Sequence, residues 1–520
     1  MTDRATVTAI RKHLRHTWRP FFGRFGNLTP VQVSAIPAVL SGSNVVIMSP
    51  TASGKTEAVV APVAERHVQE DWEGLAVIYV VPTRALANDT LKRIKGPLED
   101  LGLRAALKHS DQSYLPENLN WLITTPESLD SLICRRSHLF AGLRVVILDE
   151  IHLLDNTYRG DQLRVLLTRL RNLINRDFAA HILSATLQDA KTVAERYISS
   201  YQLITVPGNR PVHLHLVTSH EEVNQLARRH GWKKILYFCN TRENVETVAA
   251  QLTPIWKPYP VVAHHGSLSR QARQEAEHVL HESSRVVGVA TSTLEVGIDI
   301  GDIDLVVLAE PPWSLSALMQ RIGRGSRRSE QIQAAALIRL PGERIYIEAM
   351  FTAIAAGQLE AAPYLVDHSV GVQQILSIVF QHRGAGALDS FIKSMLTTLM
   401  HPYQIEKILL HLQYRGWIER RGDRWFATPR LIDEAERGDI HSNIPDPRNL
   451  QVFDVESNVY IGRIVGAFDQ VFLLNGQAWQ VIDITSTVVR VRRFHGEANA
   501  ALFRSYVRDG RYSFLLPPSL

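Results

Sequence analysis

Val45-Val46-Ile47-Met48-Ser49-Pro50-Thr51-Ala52-Ser53-Gly54-Lys55-Thr56 is the stretch whose reading decides the fold. Four consecutive apolar residues without alternation describe a strand buried on both faces, as in a parallel sheet. The loop of small residues that follows ends in Gly-Lys-Thr, where a strand gives way to a helix in phosphate-binding loops. Backbone N–H groups and the helix N-terminus offer positive partial charge to phosphate oxygens at such a place. Lys55 then reaches the β- and γ-phosphates of a nucleotide, and the Thr56 hydroxyl faces Mg²⁺.

A second apolar strand ends in carboxylates: Val145-Val146-Ile147-Leu148-Asp149-Glu150-Ile151-His152. Carboxylates at the C-terminal end of a buried strand point into the crevice where α/β sheets bind ligands. Asp149 is expected to hold Mg²⁺ and Glu150 to orient and deprotonate an attacking water.

Runs of the same kind recur over residues 76–81, 121–123 and 181–183, and again over 235–238, 261–263, 286–290, 305–309 and 335–340. They predict two α/β domains in series with parallel sheets. Pro207-Gly208-Asn209-Arg210-Pro211 lies between the two sets and reads as a hinge linker. Beyond residue 360 the pattern changes. Ile405, Ile408, Leu409 and Leu412 form a helical stripe over 403–414, and a hairpin tipped by Arg421-Gly422-Asp423 follows, the layout of a winged helix. Short alternating segments after about residue 445 predict a small C-terminal β-barrel. The expected domains are 1–207, 208–360, 361–440 and 441–520.

Composition is that of an ordinary globular chain of 520 residues, 45% hydrophobic and 21% charged, with ample material for several cores. A net charge of +5 is compatible with a polyanionic partner without demonstrating one. Cys134 and Cys239 are far apart and form no CxxC; they read as free thiols in a reducing compartment, and two thiolates are too few for a cysteine-held zinc or iron–sulfur cluster. The charged N-terminus excludes a signal peptide, and no stretch reaches the ~18 apolar residues of a spanning helix. A cytoplasmic protein with no membrane partner is expected.

The two motifs together resemble motifs I and II of the superfamily-two helicases, and the remaining motifs follow in order. Gln32 in Asn27-Leu28-Thr29-Pro30-Val31-Gln32 resembles the adenine-reading Q motif. Pro82-Thr83-Arg84-Ala85-Leu86-Ala87 resembles motif Ia, Thr124-Thr125-Pro126-Glu127-Ser128-Leu129 motif Ib, and Ser184-Ala185-Thr186 motif III. In the second half, Tyr237-Phe238-Cys239-Asn240-Thr241-Arg242 resembles motif IV, and His264-His265-Gly266-Ser267-Leu268-Ser269 follows it. Thr291-Ser292-Thr293-Leu294-Glu295-Val296-Gly297-Ile298-Asp299 resembles motif V, and Gln320-Arg321-Ile322-Gly323-Arg324-Gly325-Ser326-Arg327 motif VI. The DEIH form, the string HHGSLSR, the winged helix and the barrel make the chain most similar to the Lhr (large helicase-related) core, over nearly its whole length.

The resemblance implies two tandem RecA-like P-loop domains and a nucleic-acid-dependent ATPase. Gln32, Thr51, Ser53, Gly54, Lys55, Thr56, Gly297 and Asp299 would hold ATP, and Thr56 and Asp149 Mg²⁺. Lys55, Asp149, Glu150 and the arginine fingers Arg324 and Arg327 would carry catalysis. Thr83, Arg84, Thr125, Asn240, Thr241, Gly266 and Thr291 would grip the phosphates of one strand, and Ser184 and Thr186 would couple the two events. The partners implied are single-stranded DNA or RNA and duplex junctions, met by a monomer. Travel 3′-to-5′ on single-stranded DNA, unwinding of DNA or DNA–RNA duplexes and a role in repair are also implied. A translocase or remodelling subunit that separates no strands fits the same motifs. Two positions depart from the pattern: Ala52 replaces a glycine of the loop, and Gly325-Ser326 inverts the usual order before the last arginine.

Softer features stay open. Arg420, Arg421 and Arg424 at the hairpin tip fit a nucleic-acid contact or a solvated turn. Arg490, Arg492 and Arg493 fit a charged outer barrel face, and Arg11, Lys12, Arg15 and Arg19 a solvated helix. His152, His264 and His265 are expected to make polar contacts inside their motifs, and Trp417 and Trp425 to be core.

Overall fold

The computed structural model describes residues 4–50, 53–109, 114–185, 189–206, 210–295, 300–325, 331–358, 363–445, 449–465, 470–485, 487–496, 498–501 and 510–520. The chain forms two compact units: residues 1–207, 362–446 and 507–520 make the first, and 208–361 with 447–506 the second. Residues 207–209 of the expected linker lie outside the described residues. No helix among the described residues is long and apolar enough to cross a membrane.

The first unit holds a seven-stranded parallel sheet. Its order is Ala105–Lys108, Trp121–Thr124, Val77–Val80, Val145–Leu148, Ala179–Ser184, Val45–Met48 and Gln202–Thr205. The interior strands are mostly apolar and almost wholly buried, because helices cover both faces, with His181 and Ser184 as polar residues inside Ala179–Ser184. Sequence reading missed the two edge strands. An edge strand has one neighbour, so Ala105–Lys108 is half-buried and Gln202–Thr205 largely exposed, and neither carries the Val/Ile/Leu run that marks an interior strand.

Residues 362–446 carry the winged-helix elements. The helix Pro402–Tyr414 buries Ile405, Ile408, Leu409 and Leu412, and the strands Ile418–Arg421 and Arg424–Ala427 pair as the hairpin, joined by Ala387–Leu388. The helix Ser369–Gln381 is buried on every side from Ser369 to Phe380, as a helix at the centre of a core must be. Its core takes in Cys134 and Val165 from the sheet-flanking helices Pro126–Arg135 and Tyr158–Ile174, and Tyr512 and Leu515 from the chain terminus. The last residues therefore pack with the winged helix, although the reading of the sequence places them in the barrel.

A buried ionic cluster joins these parts. Arg169 donates to Asp130 (2.6 Å), Gln374 (2.9 Å) and Ser377 (3.0 Å), and its second nitrogen lies 3.3 Å from Cys134 Sγ. His441 Nδ1 lies 2.9 Å from Asp130 Oδ2. Asp130, Cys134 and His441 bring ligand atoms within 4.8 Å of one another, but the Arg169 guanidinium already supplies that space with a positive charge. Burial alone would raise the Asp130 pKa; Arg169, His441 and Ser377 hold it below the ordinary carboxylate range. Burial would likewise depress His441, and the hydrogen bonds to Asp130 and Cys134 push it up to about 9 instead.

The second unit holds a six-stranded parallel sheet in the order Val261–His264, Val286–Ala290, Lys234–Phe238, Leu305–Leu308, Ile332–Leu337 and Val212–Val217. The strand expected over 335–340 runs instead from Ile332 to Leu337, because the helix Pro341–Ala355 begins directly after Leu340. Residues 449–501 add a six-stranded mixed sheet. Its strand Tyr460–Val465 pairs with the segment after Gly266: Ser269 N donates to Ile461 O (2.8 Å) and Arg463 N to Ser267 O (2.8 Å). A β-carbon at Gly462 would stand 2.6 Å from Ser267 O, so this pairing admits only glycine. Glu246, buried beside His265 (2.7 Å), accepts the backbone N–H groups of Asn475 and Gly476.

His441 is raised on folding, so its stabilising contribution is complete below the ordinary histidine value of 6.5 and is lost as pH rises through about 9. Unfolding free energy should fall across that window, and His441→Gln should flatten the slope in denaturant titrations. Arg169→Met strands the Asp130 carboxylate and should cost ~3–5 kcal/mol; a loss below 1 kcal/mol, read against the roughly 0–1 kcal/mol of an exposed pair, would refute the clamp.

Candidate functional site

Strand Val45–Met48 lies inside the first sheet, between Ala179–Ser184 and Gln202–Thr205. The chain leaves it at Ser49, whose N–H donates to Ser184 O (3.2 Å), and Ser49 Oγ meets Ser53 Oγ at 2.7 Å. Gly54 has φ +88°, a left-handed conformation that favours glycine, and a β-carbon there would stand 2.4 Å from Gln32 Nε2 and push that amide aside. Helix Lys55–Gln69 starts directly after it.

Strand Val145–Leu148 delivers Asp149 and Glu150 to the same sheet edge. Glu150 takes φ +48°, a sparsely used region for a residue with a side chain. Its Oε1 lies 3.1 Å from Lys55 Nζ, and the two side chains are 9% and 7% exposed. Lys55 Nζ makes this ion pair but has no aligned hydrogen-bond partner among the described residues. A buried ammonium with N–H groups to spare fits a phosphate ligand.

Asp149 accepts from its neighbour's N–H (Glu150, 2.9 Å) and from Tyr79 OH (2.7 Å). Burial, then the Glu150 charge, raise Asp149 to about 6 against the opposing pull of Lys55 and Tyr79. Arg93 Nη1 donates to Thr56 Oγ1 (3.1 Å), and the Tyr79 hydroxyl also meets Thr56. Thr56 and Asp149 thus converge as oxygen donors of the kind Mg²⁺ takes. His152 Nδ1 lies 2.9 Å from Ser184 Oγ and 3.4 Å from Glu150 Oε2. Burial lowers its pKa to about 4, so this bridge between motifs II and III is a neutral imidazole.

Gln32 is engaged within the protein. It forms a capping box with Thr29 at the helix Pro30–Leu40, and its Nε2 donates to Gly54 O (3.3 Å). It ties the expected adenine-reading segment to the phosphate loop.

The expected strand-gripping residues gather at two sheet edges, one in each unit. In the first, Thr83 and Thr125 are the N-cap residues of helices Arg84–Glu99 and Pro126–Arg135, which leave the adjacent strands Val77–Val80 and Trp121–Thr124. Arg84 opens the first of these helices. In the second, Thr241, Gly266 and Thr291 follow three neighbouring strands, Lys234–Phe238, Val261–His264 and Val286–Ala290. Thr83 and Thr241 spend their hydroxyls on their own helices, accepting from Leu86 N and Asn244 N (both 3.2 Å). The helix N-termini, more than these hydroxyls, are then the groups open to phosphate. At Gly266 the nearest heavy atom to a β-carbon is 4.0 Å away, so nothing inside the unit requires glycine there.

Asn240 differs from the expectation. Its N–H donates to Glu310 (2.7 Å), its amide nitrogen to Pro311 O (2.9 Å), and its amide oxygen accepts from Arg321 (3.0 Å). The amide is consumed as a brace for motif VI. Arg324 is buried, with its Nε and Nη2 donating to Glu295 O (3.0 and 2.8 Å), while Arg321 pairs with the Glu295 carboxylate at 2.7 Å. Motifs V and VI are tied together through Glu295. Thr51, Thr186, Gly297, Asp299 and Arg327 lie outside the described residues.

Tyr79, Arg93, Glu295 and Glu310 were not singled out from the sequence. Tyr79 falls in a run read as a buried strand, and no motif marks Arg93, because their partners are far along the chain. His264 meets Thr293 (2.8 Å) and Glu277 (3.0 Å). Trp417 and Trp425 are buried, while Arg420, Arg421, Arg490, Arg492 and Arg493 are exposed.

The profile of the DEAD/DEAH box helicase matches residues 29–194, and that of the helicase conserved C-terminal domain residues 218–329. Among curated proteins, the chain is 32% identical over 382 residues to the ATP-dependent helicase Lhr-Core of Saccharolobus solfataricus, covering 65% of this chain and 43% of that protein. It is 34% identical over 352 residues to the Lhr-Core of Methanocaldococcus jannaschii, covering 59% and 41%. The chain thus spans less than half the length of these relatives. Among solved structures, the Mycobacterium smegmatis helicase Lhr bound to ssDNA and AMP-PNP superposes with a TM-score of 0.72 at 24% identity, over 83% of this chain and 62% of that one. The DUF1998 helicase MrfA bound to DNA gives 0.74 at 20% identity, over 93% and 69%. These two likenesses show the fold.

Asp149 is raised on folding, so its charge opposes folding once pH exceeds the ordinary aspartate value of 3.8, and the penalty is full above about 6. Asp149→Asn should raise the melting temperature at pH 8, with the gain shrinking to nothing near pH 4. Equal melting temperatures at pH 8 in calorimetry would contradict the burial argument.

Proposed function

Since the chain belongs to the superfamily-two helicases and is of the Lhr-like kind, we propose that it is a nucleic-acid-dependent ATPase that moves along one strand and parts duplexes ahead of it. The observation that carries this reading is the convergence of Lys55, Thr56, Asp149 and Glu150 at one sheet edge. Lys55 masks Glu150 in the absence of nucleotide. A triphosphate draws the Lys55 ammonium onto its β- and γ-oxygens, and the Glu150 carboxylate is released to take a proton from water. Mg²⁺ on Thr56 and Asp149 neutralises phosphate charge when bound. Arg324 and Arg327 serve as the arginines that stabilise the transferring group, Arg324 being held by the Glu295 carbonyl until then.

The link from hydrolysis to the strand runs through Glu150, His152 and Ser184, at 3.4 and 2.9 Å. Helix N-termini behind Thr83, Thr125 and Thr241, with the open backbone at Gly266, grip phosphates without reading bases. Single-stranded DNA as the loaded strand, 3′-to-5′ travel, activity on DNA–DNA or DNA–RNA duplexes and work in repair complete the proposal; the resemblance to Lhr supports them.

Lys55→Ala and Glu150→Gln should each reduce strand-stimulated ATP turnover at least a hundredfold, the scale of removing a transition-state donor or a general base. Normal turnover in either variant would overturn the site assignment. Matched duplexes with a 3′ or a 5′ single-stranded tail, in DNA–DNA and DNA–RNA versions, test the movement. Separation from the 3′ tail alone is expected, and stimulated turnover without separation would identify a translocase instead. Strand affinity should drop steeply with salt as phosphate contacts release counterions.

A further inference from the structure

Arg93 stands outside every motif and yet reaches the centre of the nucleotide site. It lies on helix Arg84–Glu99, whose first turn carries the proposed strand grip. Its Nη1 donates to Thr56 Oγ1 at 3.1 Å, and its Nη2 lies 3.3 Å from Asp89, one helical turn before it. Glu57, next to Thr56, stands 3.9 Å from its Nε. The guanidinium charge also acts on Tyr79 and Asp149. A cation therefore rests on one proposed magnesium ligand and within electrostatic reach of the other.

We infer that Arg93 is a cationic placeholder for the divalent ion, resting on the Thr56 hydroxyl while the site is free of metal and withdrawing onto Asp89 and Glu57 when metal and nucleotide arrive. The inference rests on the reading of Thr56 and Asp149 as the metal-holding pair. Asp149 is a buried carboxylate, and the Lys55 ammonium is paired with Glu150. A second cation beside Asp149 limits the cost of that burial. Arg93 and a divalent ion repel at this range, so both cannot hold the Thr56 oxygen at full strength. Withdrawal is short. Arg93 is 43% exposed and its fork already meets Asp89, so it gives up one bond to a neutral hydroxyl and keeps its ion pair. A lysine, with one compact ammonium, would not span Thr56 and Asp89 together. Arg93 is thus a positioning residue: it sets when the metal enters, and it carries that event onto the helix that starts at Thr83.

The test is a Mn²⁺ titration of the full chain followed by the paramagnetic resonance of the free ion, with and without a non-hydrolysable ATP analogue. Without nucleotide, Arg93→Met should bind Mn²⁺ about tenfold more tightly than the wild type, the scale of removing one like charge from a partly solvated site. With the analogue, Asp89→Asn should bind Mn²⁺ several-fold more weakly, because Arg93 has lost its retreat. A residue that merely braced the helix would not move these affinities in opposite directions. Equal nucleotide-free affinity in Arg93→Met and wild type overturns the inference. If Arg93→Met fails to melt cooperatively, an unchanged Asp89→Asn overturns it instead. Asp149→Asn separates the two levels: if it keeps wild-type Mn²⁺ affinity with the analogue, the metal-site reading itself fails.

Discussion

Lys55 and Glu150 form an ion pair 3.1 Å apart in a place where both side chains are less than a tenth exposed. Two charges there are stable only together, since either left alone would be a buried unpaired ion. Much of the surrounding structure serves to make the pair meet. Gly54 takes a left-handed turn that favours glycine. Glu150 accepts an unfavourable backbone conformation, and strained backbone of this kind concentrates where function over-determines it. Two parallel strands, Val45–Met48 and Val145–Leu148, end at the same edge on either side of Ala179–Ser184, which itself presents Ser184 to His152. The pair keeps the Glu150 carboxylate engaged, and an incoming anion is the natural competitor for the lysine.

The regions after residue 360 are built into the α/β units rather than appended to them. Helix Ser369–Gln381 has no solvent-facing side over most of its length, so it is stable only with the helices of the first sheet packed around it. The polar residues Gln373, Gln374 and Ser377 that it carries inward would be costly without Asp130 and Arg169 to satisfy them. The mixed sheet of residues 449–501 has its strand Tyr460–Val465 paired by the segment that contains Gly266. Pairing removes an open edge, a liability in any sheet, and it fixes the shape of a segment expected to meet a strand. In both units the accessory part bears on a residue stretch with a proposed nucleic-acid role: the helix after Thr125 in one, the loop after His265 in the other.

Much of this was legible beforehand because the physics involved is local. A strand buried on both faces has to be mostly apolar, so the interior strands of both sheets announce themselves, whereas Gln202–Thr205 and Ala105–Lys108 at an edge do not. A phosphate loop needs its glycine, lysine and hydroxyl in sequence, and a metal-and-base pair needs adjacent carboxylates after a strand. The winged hairpin shows through the two short segments on either side of Arg421-Gly422-Asp423, and Trp417 and Trp425 beside that turn are buried.

The sequence by itself therefore determined the two parallel sheets and the order of the motifs, since each depends on residues within a few positions of one another. Only the tertiary structure decided which partner each polar side chain takes. Asn240, expected at a strand phosphate, gives its side-chain oxygen to Arg321, 81 residues on. Arg93, in no motif, lies against Thr56, 37 residues away. His441 finds Asp130 across 311 residues. The reason is that a hydrogen bond or ion pair is chosen by distance in space among many chemically equal candidates, and that distance exists only after the chain has closed its long loops and excluded water from its cores.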